Sequence, residues 1–325
     1  MYDVIIIGAG PIGLFSSFYC GMRGLKTLTL EKDETYGGQL TKFYPNKPIY
    51  DLAGIKEITA KEYIECLYNQ YVPYKEKNPI LYNIEILDLI DNNTHHTIHT
   101  NKGSFETKTI LIASGNGTCI PRKLEVENAN KCSNILYNLD NINKYINKKI
   151  AVLGGGDSAI DIANMLVSKN DVTVIHRRNE FRAHEESLIS FKNRGKVLTP
   201  MNIESIDYDK KCKALNLLNK DTNEKTKLDI DYVFVSYGLM PSNNMFNNIL
   251  KSDINGILVN QSFKTSNERI YAVGNACSYL GKVKTITSGL GECITAITAI
   301  HKYIYPNKNP IFYSSINKGA VKKLN

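Results

Sequence analysis

KKIAVLGGGDSAIDIANMLVSKNDVTVIHRR, residues 148–178, decides the fold. It reads as strand, glycine-rich turn, helix, strand. The apolar run IAVL predicts a buried strand, and the β-branched run Thr173-Val174-Ile175 predicts a second. Between them stand Gly154, Gly156 and Ala159 in G-x-G-x-x-A order, with Asp157 and Ser158 in the same turn. Small residues at those positions let the chain fold tightly. They also bring backbone N–H groups at a helix N-terminus against a pyrophosphate.

The same pattern opens the chain. YDVIII (2–7) predicts a strand, GAGPIG (8–13) carries Gly8, Gly10, Pro11 and Gly13, LFSSFYCGMRG has helical character, and KTLTLEK predicts a second strand. Either motif alone is weak, but each lies between a strand and a helix, as a dinucleotide-binding βαβ unit requires. From Gly8 to Glu31 is 23 residues, and from Gly154 to Arg177 is also 23. The count predicts that both residues stand at the end of the second strand, where the adenosine ribose lies. A carboxylate accepts from a free ribose diol and repels a 2′-phosphate. Arg177, Arg178 and Arg182 would do the opposite, because guanidinium forks match phosphate oxygens in pairs. The first unit therefore suits a dinucleotide without a 2′-phosphate, and the second suits NADP. An NADP site beside a second dinucleotide site suggests FAD in the first unit.

The totals set the boundaries. A chain of 325 residues suggests about two domains. A hydrophobic share of 42% with 22% charged residues is that of an ordinary soluble protein. The net charge of +8 favours an acidic partner or an anionic ligand. No Lys/Arg block interleaved with aromatics supports nucleic acid. The seven cysteines are scattered, with no C-x-x-C pair, as in reduced cytoplasmic proteins. No apolar run approaches the roughly 20 residues needed to cross a bilayer. His95, His96 and His99 lie in a polar, hairpin-like stretch and are expected to face water rather than a metal.

Two further segments extend the pattern. TKTILIASGNG (107–117) is a strand ending in small residues, and NERIYAVGNACSYLGKVKTITSGLGECITAITAIHKYI (267–304) reads as strand, loop and amphipathic helix. Together with the two glycine motifs they resemble the thioredoxin-reductase-like flavoproteins. GGQLTKFYPNKPIYDLAG (37–54), GNGTCIPRKLE (115–125), GGGDSAID (154–161) and HRRNEFRAHE (176–185) resemble, within that group, the ferredoxin–NADP reductases. Thioredoxin reductases carry a C-x-x-C pair just before the second glycine motif, whereas YNLDNINKYINKKIAVLGGG holds no cysteine here. Disulfide exchange needs a nucleophilic thiolate and a resolving partner. Without the pair, electrons must leave the flavin directly.

The resemblance implies an α/β fold of two nested Rossmann-like domains. One is an FAD domain of residues 1–115 and 242–325, the other an NADP domain of residues 116–241. It implies an oxidoreductase in which hydride passes from NADPH to flavin N5, and electrons then pass singly to ferredoxin or flavodoxin. It also implies a homodimer. By the same resemblance Glu31 binds the FAD ribose, Gln39 and Tyr44 contact the flavin region with Tyr44 stacked on one face, and Ile84 sits in a short strand against the adenine. Phe312, or with a gap Tyr313, covers the other face, and Ser314 and Ser315 touch the flavin edge. Cys119 stands where the family often has Phe beside the flavin and is read as packing. Asn275 stands where the family usually has Asp, and it can still hydrogen-bond a ribityl hydroxyl without charge. Two other readings stay open: an NADPH-dependent reductase of quinones or free flavin, including a thioredoxin-reductase relative without its cysteine pair, and a nucleotide sensor without turnover.

Overall fold

The computed structural model of the chain describes residues 1–43, 45–115, 117, 119–139, 141–241 and 246–308. Two compact units emerge: Met1–Thr118 with Asn243–Asn325, and Cys119–Ser242.

The first unit begins with β1 (Tyr2–Ile7), α1 (Pro11–Met22) and β2 (Thr27–Leu30). Strands β1 and β2 are almost wholly buried, as central parallel strands covered on both faces must be. Pro11 starts α1, where its missing N–H costs nothing. Helix α2 (Ala60–Tyr71) is closed by a reciprocal capping box between Thr59 and Glu62. Then come β3 (Ile80–Leu81), β4 (Ile86–Asp91), β5 (His96–Thr100) and the long β6 (Gly103–Ile112). The sheet runs β3-β2-β1-β6-β5-β4. Its β3, β2, β1 and β6 are parallel, while β4, β5 and β6 form an antiparallel meander.

That meander corrects one expectation. The alternation of β5 turns His96, Ile98 and Thr100 inward, and His96 is 0% exposed. Only His95 and His99 keep partial access to water. A period of two decides which face a residue takes, and the polar composition of the stretch conceals the phase.

The second unit contains β7 (Ile135–Leu136), β8 (Lys149–Leu153), α3 (Asp157–Leu166), β9 (Asp171–Ile175), α4 (Glu185–Lys192) and β10 (Lys196–Leu198). An antiparallel meander of β11 (Met201–Asp209), β12 (Lys211–Asn219) and β13 (Lys225–Asp229) follows, then β14 (Tyr232–Val235). The parallel sheet is ordered β7-β14-β8-β9-β10. Cys212, Leu215 and Leu217 of the meander pack on Ala151 and Leu153 of that sheet.

The chain then returns to the first unit. Strand β15 (Ile270–Ala272) adds to β6 in parallel, beside residues 110–112. Helix α5 (Ile286–Ile304) carries Cys293, Ala296, Ile297 and Ile300 at helical spacing, all buried in one cluster with Val4, Ile6, Cys20 and Leu111. Among the described residues Cys20, Cys66, Cys132, Cys212, Cys277 and Cys293 are free thiols. No described helix is long and apolar enough to cross a membrane.

Candidate functional site

The first glycine turn joins β1 to α1. Gly8 has φ of +100°, and a Cβ there would lie 2.9 Å from the Ala113 carbonyl oxygen. A Cβ on Gly13 would lie 1.8 Å from the Gly8 oxygen, so the third glycine lets helix and turn touch. Gly10 is different. It is the N-cap of α1, no side chain caps the helix, and a Cβ there would meet nothing within 4 Å. The first-turn N–H groups of α1 thus have no side-chain cap, and no acidic residue stands in that turn.

Glu31 follows β2 and is 7% exposed. Its Oε2 accepts from the Ala9 N–H at 2.6 Å, and its Oε1 from the Asp33 N–H at 2.9 Å. Burial raises its pKa, and those N–H groups oppose the rise. Gln39 begins a short helix (Gln39–Phe43) whose approach folds back on the turn: the Gly37 N–H donates to Ala9 O at 2.8 Å. A Cβ on Gly38 would lie 3.2 Å from the Gly10 Cα. From the other side comes the turn Gly274–Ala276, where a Cβ on Gly274 would meet Ile12 of α1 at 3.1 Å. Asn275 is half-buried there, and its side-chain amide has no hydrogen-bond partner among the described residues.

Ile84 departs from its expected place. It lies between β3 and β4 rather than in a strand, because Asn83 at φ of 57° breaks the extended run. Its side chain is buried in the core with Leu30, Ile98 and Ile112, and its N–H donates to Glu31 O at 2.9 Å. Tyr44, Phe312, Tyr313, Ser314 and Ser315 lie outside the described residues, and so does the side chain of Cys119, whose backbone forms a short strand with Leu239–Pro241.

The second turn repeats the device. Gly154 has φ of +141°, and a Cβ there would stand 2.4 Å from Ser236 O. Ala159 is fully buried at the third position. Gly156 caps α3 with nothing within 4 Å of its would-be Cβ, and Asp157 and Ser158 open the helix. The loop after β9 is clipped to this turn. The Arg182 and Ala183 N–H groups both donate to Gly155 O, at 2.8 and 3.3 Å, and the His184 N–H donates to Asp157 Oδ1 at 2.9 Å. His176 closes the loop from inside, with Nε2 at 3.1 Å from Glu180 O and its ring 4.9 Å from that of Phe181. A Cβ on Gly155 would lie 2.5 Å from that imidazole. Burial holds the His176 pKa below its usual value, and Arg177, Arg178 and Arg182 lower it further. All three arginines are exposed, and none of their guanidiniums has a hydrogen-bond or ion-pair partner among the described residues.

The equal counts of 23 do not mean equal register. Ile7 pairs with Leu30, which sets Glu31 beside Gly8, whereas Leu153 pairs with Ile175, which sets His176 beside Gly154. The path from Leu153 to its partner Ile175 is 22 residues, one fewer than the 23 from Ile7 to Leu30. Arg177 therefore stands one residue further out than Glu31. Sequence reading passed over His176, although its place directly after the second strand was the available signal.

The two turns suit two different dinucleotides. Each leaves its second glycine open at a helix N-terminus without a side-chain cap; one adds a buried carboxylate, the other three guanidiniums with no partner among the described residues. Comparison with known proteins agrees. The model of the pyridine nucleotide-disulphide oxidoreductase family matches residues 2–298. The chain belongs to that family. Within this oxidoreductase family it is 41% identical to a ferredoxin–NADP reductase of Acholeplasma laidlawii, covering 97% of this chain and 98% of that one. It is 40% identical to ferredoxin–NADP reductase 2 of Bacillus anthracis, covering 94% of each. Among solved structures, the thioredoxin reductase of Lactococcus lactis superposes with a TM-score of 0.79 at 26% identity, covering 94% of this chain and 100% of that one.

Proposed function

We propose that the chain is an FAD-dependent ferredoxin– or flavodoxin–NADP reductase. FAD, when bound, supplies the relay between a hydride donor and a one-electron acceptor. The protein's part is to bind and orient. The open turn at Gly10 receives the FAD pyrophosphate on the first-turn N–H groups of α1, and Glu31 accepts from the ribose hydroxyls. Asn275 offers its free amide to the ribityl chain. Gly154, Gly156 and Ala159 do for NADPH what Gly8, Gly10 and Gly13 do for FAD. Arg177, Arg178 and Arg182 select the 2′-phosphate. Roles for Gln39, Tyr44, Cys119, Phe312, Ser314 and Ser315 beside the flavin rest on the family resemblance; Ile84 would meet the adenine through its backbone, its side chain being in the core.

One observation carries the NADP side of the reading: three exposed guanidiniums, unpaired among the described residues, on a loop whose Arg182, Ala183 and His184 N–H groups clip it to a glycine turn, two on Gly155 O and one on Asp157 Oδ1. The choice of a one-electron carrier over a disulfide is supported by the absence of any C-x-x-C in the chain and by the named function of the relatives. Free thiols suit a cytoplasmic setting, and a homodimer follows the resemblance.

The test is anaerobic. NADPH should bleach the flavin band, and ferredoxin or flavodoxin, but not oxidised thioredoxin, should restore it. Bleaching that neither carrier reverses would reject a one-electron carrier as acceptor.

A further inference from the structure

Lys282 and Glu292 form an ion pair sealed inside the first unit, with side-chain exposures of 6% and 3%. Burying two charges is expensive, and apolar residues of similar volume often serve stability as well. Such a pair holds only when its remaining hydrogen-bonding positions are filled. Here they are filled from one short segment. Glu292 Oε1 accepts from the Lys282 ammonium and from the Tyr279 hydroxyl, the latter at 2.9 Å. Glu292 Oε2 accepts from the Gly274 N–H at 2.7 Å. Lys282 Nζ also lies 5.3 Å from the centre of the Tyr279 ring and 3.6 Å from Cys277 Sγ.

The other half of Gly274 is held as well. The Cys277 thiol donates to Gly274 O at 3.3 Å. Burial, helped by the Glu292 carboxylate, pushes that thiol up to about 12, so it stays protonated and able to donate. Gly274 has φ of +66° and is wedged against Ile12 in the first turn of α1. Its successor, Asn275, carries a side-chain amide with no partner among the described residues. The effort of a buried ion pair thus converges on one glycine, and that glycine aims one free amide.

We propose that Lys282 and Glu292, with Tyr279 and Cys277, form a clamp that positions the Gly274–Asn275 turn for the flavin and so sets how tightly FAD is held. The inference rests on the FAD reading of this site. Glu292 and Lys282 act as positioning residues, through the turn, and do not touch the flavin. A fully apolar interior would pack the turn but would not hold one N–H in a fixed direction.

The test is FAD affinity of the deflavinated full-length chain, measured by quenching of FAD fluorescence, with circular dichroism and melting of the same apoprotein samples. Glu292→Gln leaves Lys282 buried without a counter-charge and should weaken FAD binding about tenfold or more. Lys282→Met should do the same by stranding the carboxylate. The double variant Glu292→Gln/Lys282→Met keeps an acceptor for Gly274 with no unpaired charge, and should recover FAD affinity to within about threefold of wild type. Tyr279→Phe, which leaves the pair intact, should fold normally and weaken FAD about threefold; it decides the matter if the single charge variants do not fold. Variants that melt earlier yet bind FAD with wild-type affinity, or a double variant no better than its parents, would overturn the clamp alone. A wild-type chain that takes up no FAD would remove the flavin reading and the clamp together.

Discussion

The two glycine turns share a backbone and differ in what stands beside it. In the first, the residue level with the leading glycine is Glu31, whose carboxylate reaches back to the Ala9 N–H. In the second it is His176, whose neutral ring lies over Gly155, and the charge moves outward onto Arg177 and its neighbours. The first site is one buried anion fixed by two N–H groups. The second is three exposed cations held only by their loop. On the proposed reading, backbone geometry supplies what every dinucleotide shares, the pyrophosphate, while Glu31 in one unit and Arg177 with its neighbours in the other select between them. Buried selection is rigid and little screened by salt; exposed selection is adaptable and screened.

The shared part can be broken most severely. Gly13→Ala would place a Cβ 1.8 Å from Gly8 O, and overpacking backbone against backbone should cost about 3 kcal/mol or more. A fall in melting temperature, with loss of flavin on purification, is the expected result. Gly10→Ala, where the space is open, should change apoprotein stability by less than about 0.5 kcal/mol while still weakening FAD. Equal melting of the two variants would deny that the glycines have separate roles.

The second site's selectivity should yield next. Removing Arg177 and Arg178 together should raise the KM for NADPH about thirtyfold, near the 2 kcal/mol expected for charged hydrogen bonds, with kcat and the KM for NADH unchanged. The wild-type KM for NADPH should rise with salt, and this dependence should flatten in the variant. A parallel loss with NADH would place the arginines on the shared pyrophosphate instead.

What could be read from the chain before its structure follows the same division. Both turns, their flanking strands and the returning helix were legible, because small residues at fixed spacing have few other uses and apolar runs reveal buried strands. The one-residue offset between Glu31 and Arg177 was not, since a count between two residues cannot show how the strands pair. His96 was misjudged because its stretch is polar overall and only pairing with β4 and β6 fixes which face turns inward. Ile84 was placed in a strand by the family resemblance, which does not reveal the left-handed Asn83 before it. The Lys282–Glu292 pair has no motif at all. It is two ordinary charges whose partnership exists only after α5 folds onto the Gly274 turn.

Glu31 offers a smaller and more exact comparison. Glu31→Gln keeps the size but loses the charge, and should weaken FAD about tenfold, as loss of a charge-assisted hydrogen bond does. Its pH behaviour has a definite sign. The folded pKa is raised above 4.5 by burial, so the folded apoprotein binds more protons than the unfolded chain in the window just above that value. Wild-type stability relative to Glu31→Gln should therefore decline as pH rises through that window, and stay level above it. A difference that instead grows with pH would mean that the Ala9 and Asp33 N–H groups outweigh burial.

His176 should show the opposite slope and the smallest effect. Its folded pKa lies below 6.5, so the unfolded chain binds more protons just below that value, and the stability of the neutral ring is lost as pH falls through the window. Between pH 7 and 8 a His176→Gln variant should melt within a few degrees of wild type, a shift of about 1 kcal/mol at most. Below pH 6.5 the gap should narrow, because only the wild type has a ring to protonate beside three guanidiniums. His96 and His301 also have lowered pKa values from burial, so only the difference between the two proteins isolates His176. If the gap held constant to pH 5, the ring would lie free of the arginines, and the loop that carries them would not be closed from inside as the bond to Glu180 O requires.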